Sequence, residues 1–471
     1  MSESIDRHDA AALEAIEGLV TGQMSRQTFM KRAAVLGFSA SAIGSMLAAA
    51  GKADAADSRM FAGTTVNILI AAEGDDLGVK DKVGEIKKRF GIDLKYTALA
   101  VGPLIGKANQ NLQAPTSSYD AIMVLGFTVA QMVGGGFFTP LNSYLSKAPA
   151  GYDFPHDFPS GELKYVGYFD TKKQTFGGKT LYLIPGLHGG SVTLFYRKDL
   201  FDAAGLKAPT TWAQYLAAAQ KLNAGGVAGN SMIAKSGDVS MFLVDWFSRF
   251  TNMNGKLMSG SPQAKNYTPR LTSPEAVAAL QHMVDCVQAA SSGVLSYDFT
   301  ASVDAFSAGK TAMMLMWSTI AGPVYNPAKS KVSHKVAVAA PPGGKAVRGG
   351  WGMGIPKNAK NKDAAWTVIT YLTSKEWERY QTLKYQTDPT RNSTFFDPTL
   401  TKKLPYLPTA GKVFQKAEIL QIANIPETFE LIGAAAEEFA AALAGSTSAA
   451  DASKKANDRW IAVLKKGGHL K

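Results

Sequence analysis

A chain of 471 residues, 46% hydrophobic and 19% charged, has the length of two or three domains and a globular composition, which excludes a disordered or fibrous class. Its net charge of +12 is dispersed in short pairs, Lys87-Lys88, Lys172-Lys173 and Lys465-Lys466. Without a basic arm this reads as a solvated surface, with no nucleic acid expected as partner. The lone cysteine, Cys286, has no partner for an intramolecular disulfide and reads as a small buried apolar residue.

Residues 1–56 read as an address. A polar leader over 1–19 precedes Ser25-Arg26-Gln27-Thr28-Phe29-Met30-Lys31-Arg32, an uncharged stretch over 33–50, and Ala53-Asp54-Ala55. A positive flank, an apolar segment and a small-x-small cleavage pattern, in that order, make a signal peptide. The stretch is rich in Ala, Gly and Ser, too weakly apolar for a permanent membrane span. The 25–31 run resembles the twin-arginine export motif, with Gln27 where the second arginine belongs, so the general secretory route competes with it. Residues 1–56 hold 5 Lys+Arg and 6 Asp+Glu of totals of 50 and 38, so the processed chain would carry +13.

After the leader, strands and helices alternate without an internal repeat. The β-branched run 66–70 predicts a buried strand. Apolar spacing at Val83, Ile86 and Phe90 predicts a helix over 79–90 that stops at Gly91. A strand over 92–98, a helix over 101–113 and a strand over 119–125 follow. This alternation predicts a mostly parallel sheet with helices on both faces. The pattern resumes with strands at 180–184 and 191–196 around Pro185-Gly186. Then come a helix from Thr211-Trp212 to Leu222, a helical pattern over 274–290, strands at 312–316 and 336–340, and a helix over 362–372. Helices over 427–444 and 449–466 close the chain.

Five stretches, in order, resemble the family 1 extracellular solute-binding proteins, the group that contains the maltose-binding type. Tyr119-Asp120 with Gly136-Phe137-Phe138-Thr139-Pro140-Leu141 resembles one family segment. Ile184-Pro185, then Tyr196-Arg197-Lys198-Asp199-Leu200-Phe201-Asp202-Ala203-Ala204-Gly205-Leu206 and Pro209-Thr210-Thr211-Trp212, resemble its signature, with Arg197 in place of the usual Asn. Ala305-Phe306-Ser307-Ala308-Gly309-Lys310-Thr311-Ala312-Met313 is the third stretch. Gly349-Gly350-Trp351-Gly352-Met353-Gly354-Ile355-Pro356-Lys357 with Lys362-Asp363-Ala364-Ala365-Trp366 is the fourth, and Tyr371-Leu372-Thr373-Ser374 with Pro389-Thr390-Arg391 the fifth. The resemblance spans roughly 64–396.

The resemblance implies an α/β, two-lobed periplasmic-binding-protein fold of type II, with three hinge crossings and a helical C-terminus. The crossings are expected near 186–190, 350–356 and 388–394. One lobe would hold 64–186 plus 355–390, the other 190–350 plus 395–471. The implied function is capture of a carbohydrate, sugar or polyol, in the interlobe cleft, by a periplasmic monomer that delivers it to ABC permease and ATPase subunits. No cofactor and no catalysis are expected. The alternatives are a non-sugar solute such as a polyamine or an organic phosphate, and a secreted glycoside-acting enzyme with two carboxylates distant in sequence.

Ligands of open α/β sheets gather at the carboxyl ends of strands. Glu73 and Asp75 follow the first strand, where a helix start is the competing role. Gly126, Phe127 and Thr128 follow the third. His188 and Ser191 lie at the first crossing, Trp351 at the second, and Arg391 at the third, with a structural ion pair as its alternative. Trp317 and Ser318 follow the 312–316 strand. Trp246 lies in an apolar run where core packing competes. Indoles suit the apolar face of a sugar ring, and planar polar groups suit its hydroxyls.

Neither Gly309-Lys310-Thr311 nor Gly178-Lys179-Thr180 has the leading glycine of a phosphate loop, Asp304 and Lys173 standing there instead, so ATP binding is not expected. The six histidines, at 8, 156, 188, 282, 334 and 469, show no paired metal-ligand spacing. No Gly-x-Ser-x-Gly elbow appears.

Overall fold

The computed structural model describes residues 26–35, 60–72 and 75–471. Of the expected leader, only the helix Arg26–Val35 falls among them; the apolar segment beyond Val35 and the cleavage pattern lie outside the described residues.

The chain divides into two compact units, one of residues 1–66 and 81–95, the other of 67–80 and 96–471. In the smaller unit, Gly91 closes the helix Asp75–Phe90 as its spacing predicts, with φ +75° and its N–H donating to the Lys87 carbonyl. The left-handed conformation is open to glycine without the Cβ penalty. Lys87 also holds Asp93 at 2.7 Å, and the Asp93 N–H donates to Thr64 O.

Two sheets carry the architecture, built mainly from residues of the larger unit. The first runs in the order Asp93–Leu99, Thr65–Ala71, Ala121–Leu125, Trp351–Gly354, Ile184–Pro185. The strand Ala121–Leu125 is parallel to Thr65–Ala71, as strand-helix-strand alternation requires. Trp351–Gly354 then enters antiparallel between Ala121–Leu125 and Ile184–Pro185. The second sheet, Met313–Trp317, Val192–Arg197, Val336–Ala339, is antiparallel throughout. The expected mostly parallel arrangement therefore holds for the Thr65–Ala71 and Ala121–Leu125 pair and not for the molecule. Returning strands, which no local pattern announces, make the first sheet mixed and the second antiparallel.

The strand expected at 180–184 is divided. Thr175–Leu181 pairs with Tyr168–Asp170 in a separate hairpin, and only Ile184–Pro185 joins the first sheet, at its edge. Pro185 has no N–H to extend the ladder, so an edge is where it fits. Other elements lie where their patterns put them. Thr211 caps the helix Trp212–Leu222 in a reciprocal capping box with Gln214. Gly205, at φ +66°, ends the helix Lys198–Ala203 and its aftermath. Ser273 caps Pro274–Val287 and Ser448 caps Ala449–Lys466.

The chain passes from the first sheet to the second between Pro185 and Val192, and returns between Ala339 and Trp351. Around the second sheet lies a large apolar core. Its aromatic centre stacks Trp246 on Phe250 (4.7 Å between centroids, 12° between planes) and packs it against Phe242 and Phe439. Cys286 is buried in this core, as expected, and burial raises its thiol to about 11.

Candidate functional site

The two passages between sheets run side by side. The Ser191 N–H donates to the Ser318 hydroxyl (3.1 Å) and the Ser318 N–H to Ser191 O (2.9 Å). The Gly349 N–H donates to Gly190 O (2.9 Å) and the Gly126 N–H to Gly350 O (3.0 Å). A third stretch joins them where the Gly189 N–H donates to Asp388 O (3.1 Å). Backbone hydrogen bonds thus gather 188–191, 317–318, 348–351 and 388 into one region. A Cβ on Gly350, whose φ is +128°, would lie 2.4 Å from Glu162 Oε1, so glycine is what lets this carboxylate approach.

Several polar groups here are buried without partners. Among the described residues neither carboxylate oxygen of Asp388 makes a close hydrogen bond, nor does Ser191 Oγ or Glu162 Oε1. Glu162 Oε2 accepts from Arg348 at 3.0 Å. That guanidinium also donates to the carbonyls of Ala417 and Phe414 and lies 4.5 Å over the Phe414 ring. Burial raises Asp388 to about 6, against the opposing pull of the Ser318 hydroxyl and His188. Burial raises Glu162 too, with Arg348 and then His188 acting against it. Desolvation disfavours the charged form of an acid, and these shifts carry that sign. His188 meets the Trp351 indole edge-on, 5.8 Å between centroids. The Trp317 ring is half-buried and would lie 3.1 Å from a Cβ on Gly349.

The residues expected from sequence divide into groups. His188, Ser191, Trp317, Ser318 and Trp351 come together, and Gly126 reaches them through Gly350. Phe127 and Thr128 continue the buried turn Gly126–Thr128, with the Thr128 hydroxyl spent on Leu125 O and the Phe127 ring edge-on to Phe429. Glu73 lies outside the described residues. Asp75 opens its helix, and its side chain is likewise outside them.

Trp246 is not brought to this region. It is fully buried among aromatic rings and its indole N–H donates to Ala276 O at 3.2 Å. Its apolar run packs the core, leaving no group to offer a solute. Arg391 is fully buried as well. It donates to Thr373 O at 2.9 Å, sits 4.3 Å over the Phe158 ring and lies 3.5 Å from Asp157. These contacts are those of the structural ion pair named as its alternative.

Sequence reasoning missed Glu162, Arg348 and Asp388. Asp388 adjoins the Pro389-Thr390-Arg391 stretch and was within reach of that signal. Glu162 and Arg348 are 186 positions apart, and no local pattern links them. Among the described residues no group of three or more His, Cys, Asp or Glu could hold a metal ion, and no helix is long and apolar enough to cross a membrane.

Residues 73–379 match the profile of a family described as bacterial extracellular solute-binding protein. A probable amino-acid ABC transporter periplasmic-binding protein of Sinorhizobium fredii is 26% identical over 95% of this chain and 100% of its own length. A mannitol-binding protein of Pseudomonas aeruginosa is 25% identical over 81% of this chain and 88% of its own. A solved ABC transporter solute-binding protein of Agrobacterium radiobacter, in complex with ribitol, superposes with a TM-score of 0.73. It is 26% identical and covers 85% of this chain and 98% of its own.

Proposed function

The chain belongs to the bacterial extracellular solute-binding proteins of ABC transporters, with the type II periplasmic-binding fold, and on that premise we propose that it captures a polyol or small sugar where the passages converge. The ligand would contact Asp388, Ser191 and Glu162 through its hydroxyls, and Trp317 and Trp351 through its carbon skeleton. It would leave chemically unchanged, handed to a permease driven by an ATPase. The division into lobes at 186–190, 350–356 and 388–394 belongs to the same reading. So do export to the periplasm through the 1–56 leader and action as a monomer.

One observation carries it. Asp388, Ser191 and Glu162 present buried oxygens that make no close hydrogen bond among the described residues, beside two indoles. Buried polar groups are ordinarily satisfied, and an unmet acceptor costs about 1–3 kcal/mol. A molecule that supplies hydroxyl donors along an apolar chain meets both needs. Relatives that bind mannitol and ribitol fit the same chemistry.

A second reading has its own observation. Among the described residues Asp388 forms no ion pair, and an ammonium group would satisfy it; the relative named for amino acids accords with that. Thermal shift of the full chain with ribitol, mannitol, maltose, an amino acid set and a polyamine separates the two. Polyols should raise the melting temperature, by about 2.7 kcal/mol of stabilisation at a hundredfold excess over Kd, and be recovered intact. Stabilisation by amines alone would end the polyol reading.

A further inference from the structure

We propose that a second cavity in this protein, lined by none of the residues named at the converging passages, binds a small hydroxylated anion, a carboxylate or phosphate of about the size of citrate. The cavity has a volume of about 440 Å³, within the range of small-molecule sites. It is walled on one side by the helix Ala321–Tyr325 and the start of Val336–Ala339, and on the other by the end of Pro398–Lys403 and the turn that follows.

Its charge has one sign. His334, Lys402 and Lys403 line it, and no carboxylate does. Among the described residues neither lysine forms an ion pair, and the acid of their own helix is engaged elsewhere. Asp397 pairs with Arg379 and caps the helix through the N–H groups of Thr399 and Leu400. Adjacent lysines repel, and a bound anion relieves that repulsion.

The neutral groups favour a ligand that also carries hydroxyls. Ser333 is 7% exposed, and its hydroxyl makes no hydrogen bond with a described residue. Gln386, held at φ +58°, has its amide oxygen buried without a donor. The two phenols are spent. Tyr406 donates to Gln386 O at 3.3 Å and Tyr325 to Val336 O at 3.4 Å. Their rings stack at 5.2 Å and 14° and give the cavity a flat apolar wall. Lysines at the mouth, an unmet hydroxyl and amide within and an aromatic wall together describe a hydroxy acid or a sugar phosphate. Inorganic phosphate, with no carbon skeleton, would leave the stacked phenol wall uncovered.

Calorimetric titration of the full chain with citrate, ribitol 5-phosphate and inorganic phosphate tests this. The first two should bind saturably, more tightly than inorganic phosphate, and weaken as salt screens the lysines. The double variant Lys402→Ala, Lys403→Ala should lose at least about tenfold in their affinity, about 1.4 kcal/mol. The control Lys465→Ala, Lys466→Ala, on another exposed lysine pair, should lose none. Ribitol affinity, the readout of the converging passages, should be unchanged in both variants. Absence of saturable binding, an equal loss in the two variants, or inorganic phosphate binding as tightly as citrate would overturn the proposal.

Discussion

Two buried carboxylates of this molecule, Asp245 and Asp388, are both raised to about 6 by burial, yet only the first is held by an arginine. In the core around the second sheet, Asp245 accepts from the Ile233 N–H at 3.0 Å and from Arg249 at 3.2 Å. Arg249 also donates to His282 Nδ1 (3.0 Å) and lies 5.0 Å over the Trp212 ring. Burial and Arg249 together lower His282 to about 4, so at neutral pH the ring is uncharged. Its Nδ1 accepts from Arg249 while its Nε2–H donates to Trp212 O. Among the described residues Asp388 at the converging passages forms no ion pair and no close hydrogen bond, and only the Ser318 hydroxyl and His188 act against its burial. Where a buried acid is met from within the chain it holds structure. Where it is left unmet, the missing partner must come from outside or the group must stay protonated.

The sharpest way to break the contrast is to remove Arg249. Arg249→Ala leaves Asp245 buried and unpaired, which should cost about 3–5 kcal/mol in urea unfolding. An effect within 1 kcal/mol would mean that Asp245 is held as a neutral acid and the two regions are alike. Next comes a tryptophan from each region. Trp246→Ala should cost about 3–5 kcal/mol through the cavity it leaves, with polyol affinity unchanged in the folded fraction. Trp317→Ala should do the reverse, weakening the polyol by more than about tenfold while costing less stability, since its half-exposed ring leaves a smaller void. Equal affinity in the two variants would move the ligand away from Trp317.

Asp388→Asn tests the other side. Hydrogen bonds to a charged group contribute about 1.5–3 kcal/mol, so polyol affinity should fall roughly 10- to 100-fold, while the unliganded fold should not weaken. The pH dependence has a definite sign. Asp388 has a folded value of about 6, above its ordinary 3.8, so between these limits the folded chain binds the extra proton. This group's contribution to stability therefore falls as pH rises from about 4 to about 6. Since His282 acts in the opposite direction over much of that window, the measurement is the difference between wild type and Asp388→Asn. The variant should gain stability relative to wild type across the window, and a flat difference would show that Asp388 is not desolvated. Polyol affinity of the wild type should rise over the same window, because hydroxyl donors favour the charged carboxylate.

Much of the fold was legible without coordinates, for local reasons. The alternation of β-branched runs with 3.6-period helices gave the strands at 65–71 and 121–125 and the helix 101–113. Thr211-Trp212 marked a helix start and Gly91 a helix end. The solute-binding resemblance rested on motifs such as 196–206, whose roles are mainly turns and caps. The candidate site was legible only in part. Trp317, Ser318, His188, Ser191 and Trp351 were found because they follow strands or lie where the chain changes sheet. Arg391 was drawn in by its place at the third expected crossing and Trp246 by residue type, which cannot distinguish an indole facing a ligand from one stacked on Phe250.

What the amino-acid order determined by itself was the periodicity, the caps and breaks, the export-like leader and the motif series, because each depends on residues within a few positions of one another. What tertiary structure alone decided was which buried polar groups find partners. Arg348 meets Glu162 across 186 positions, while Asp388 is left unmet beside Ser318, which lies 70 positions earlier in the chain. Satisfaction of a buried charge depends on what the folded chain carries into contact with it, and burial makes its absence expensive.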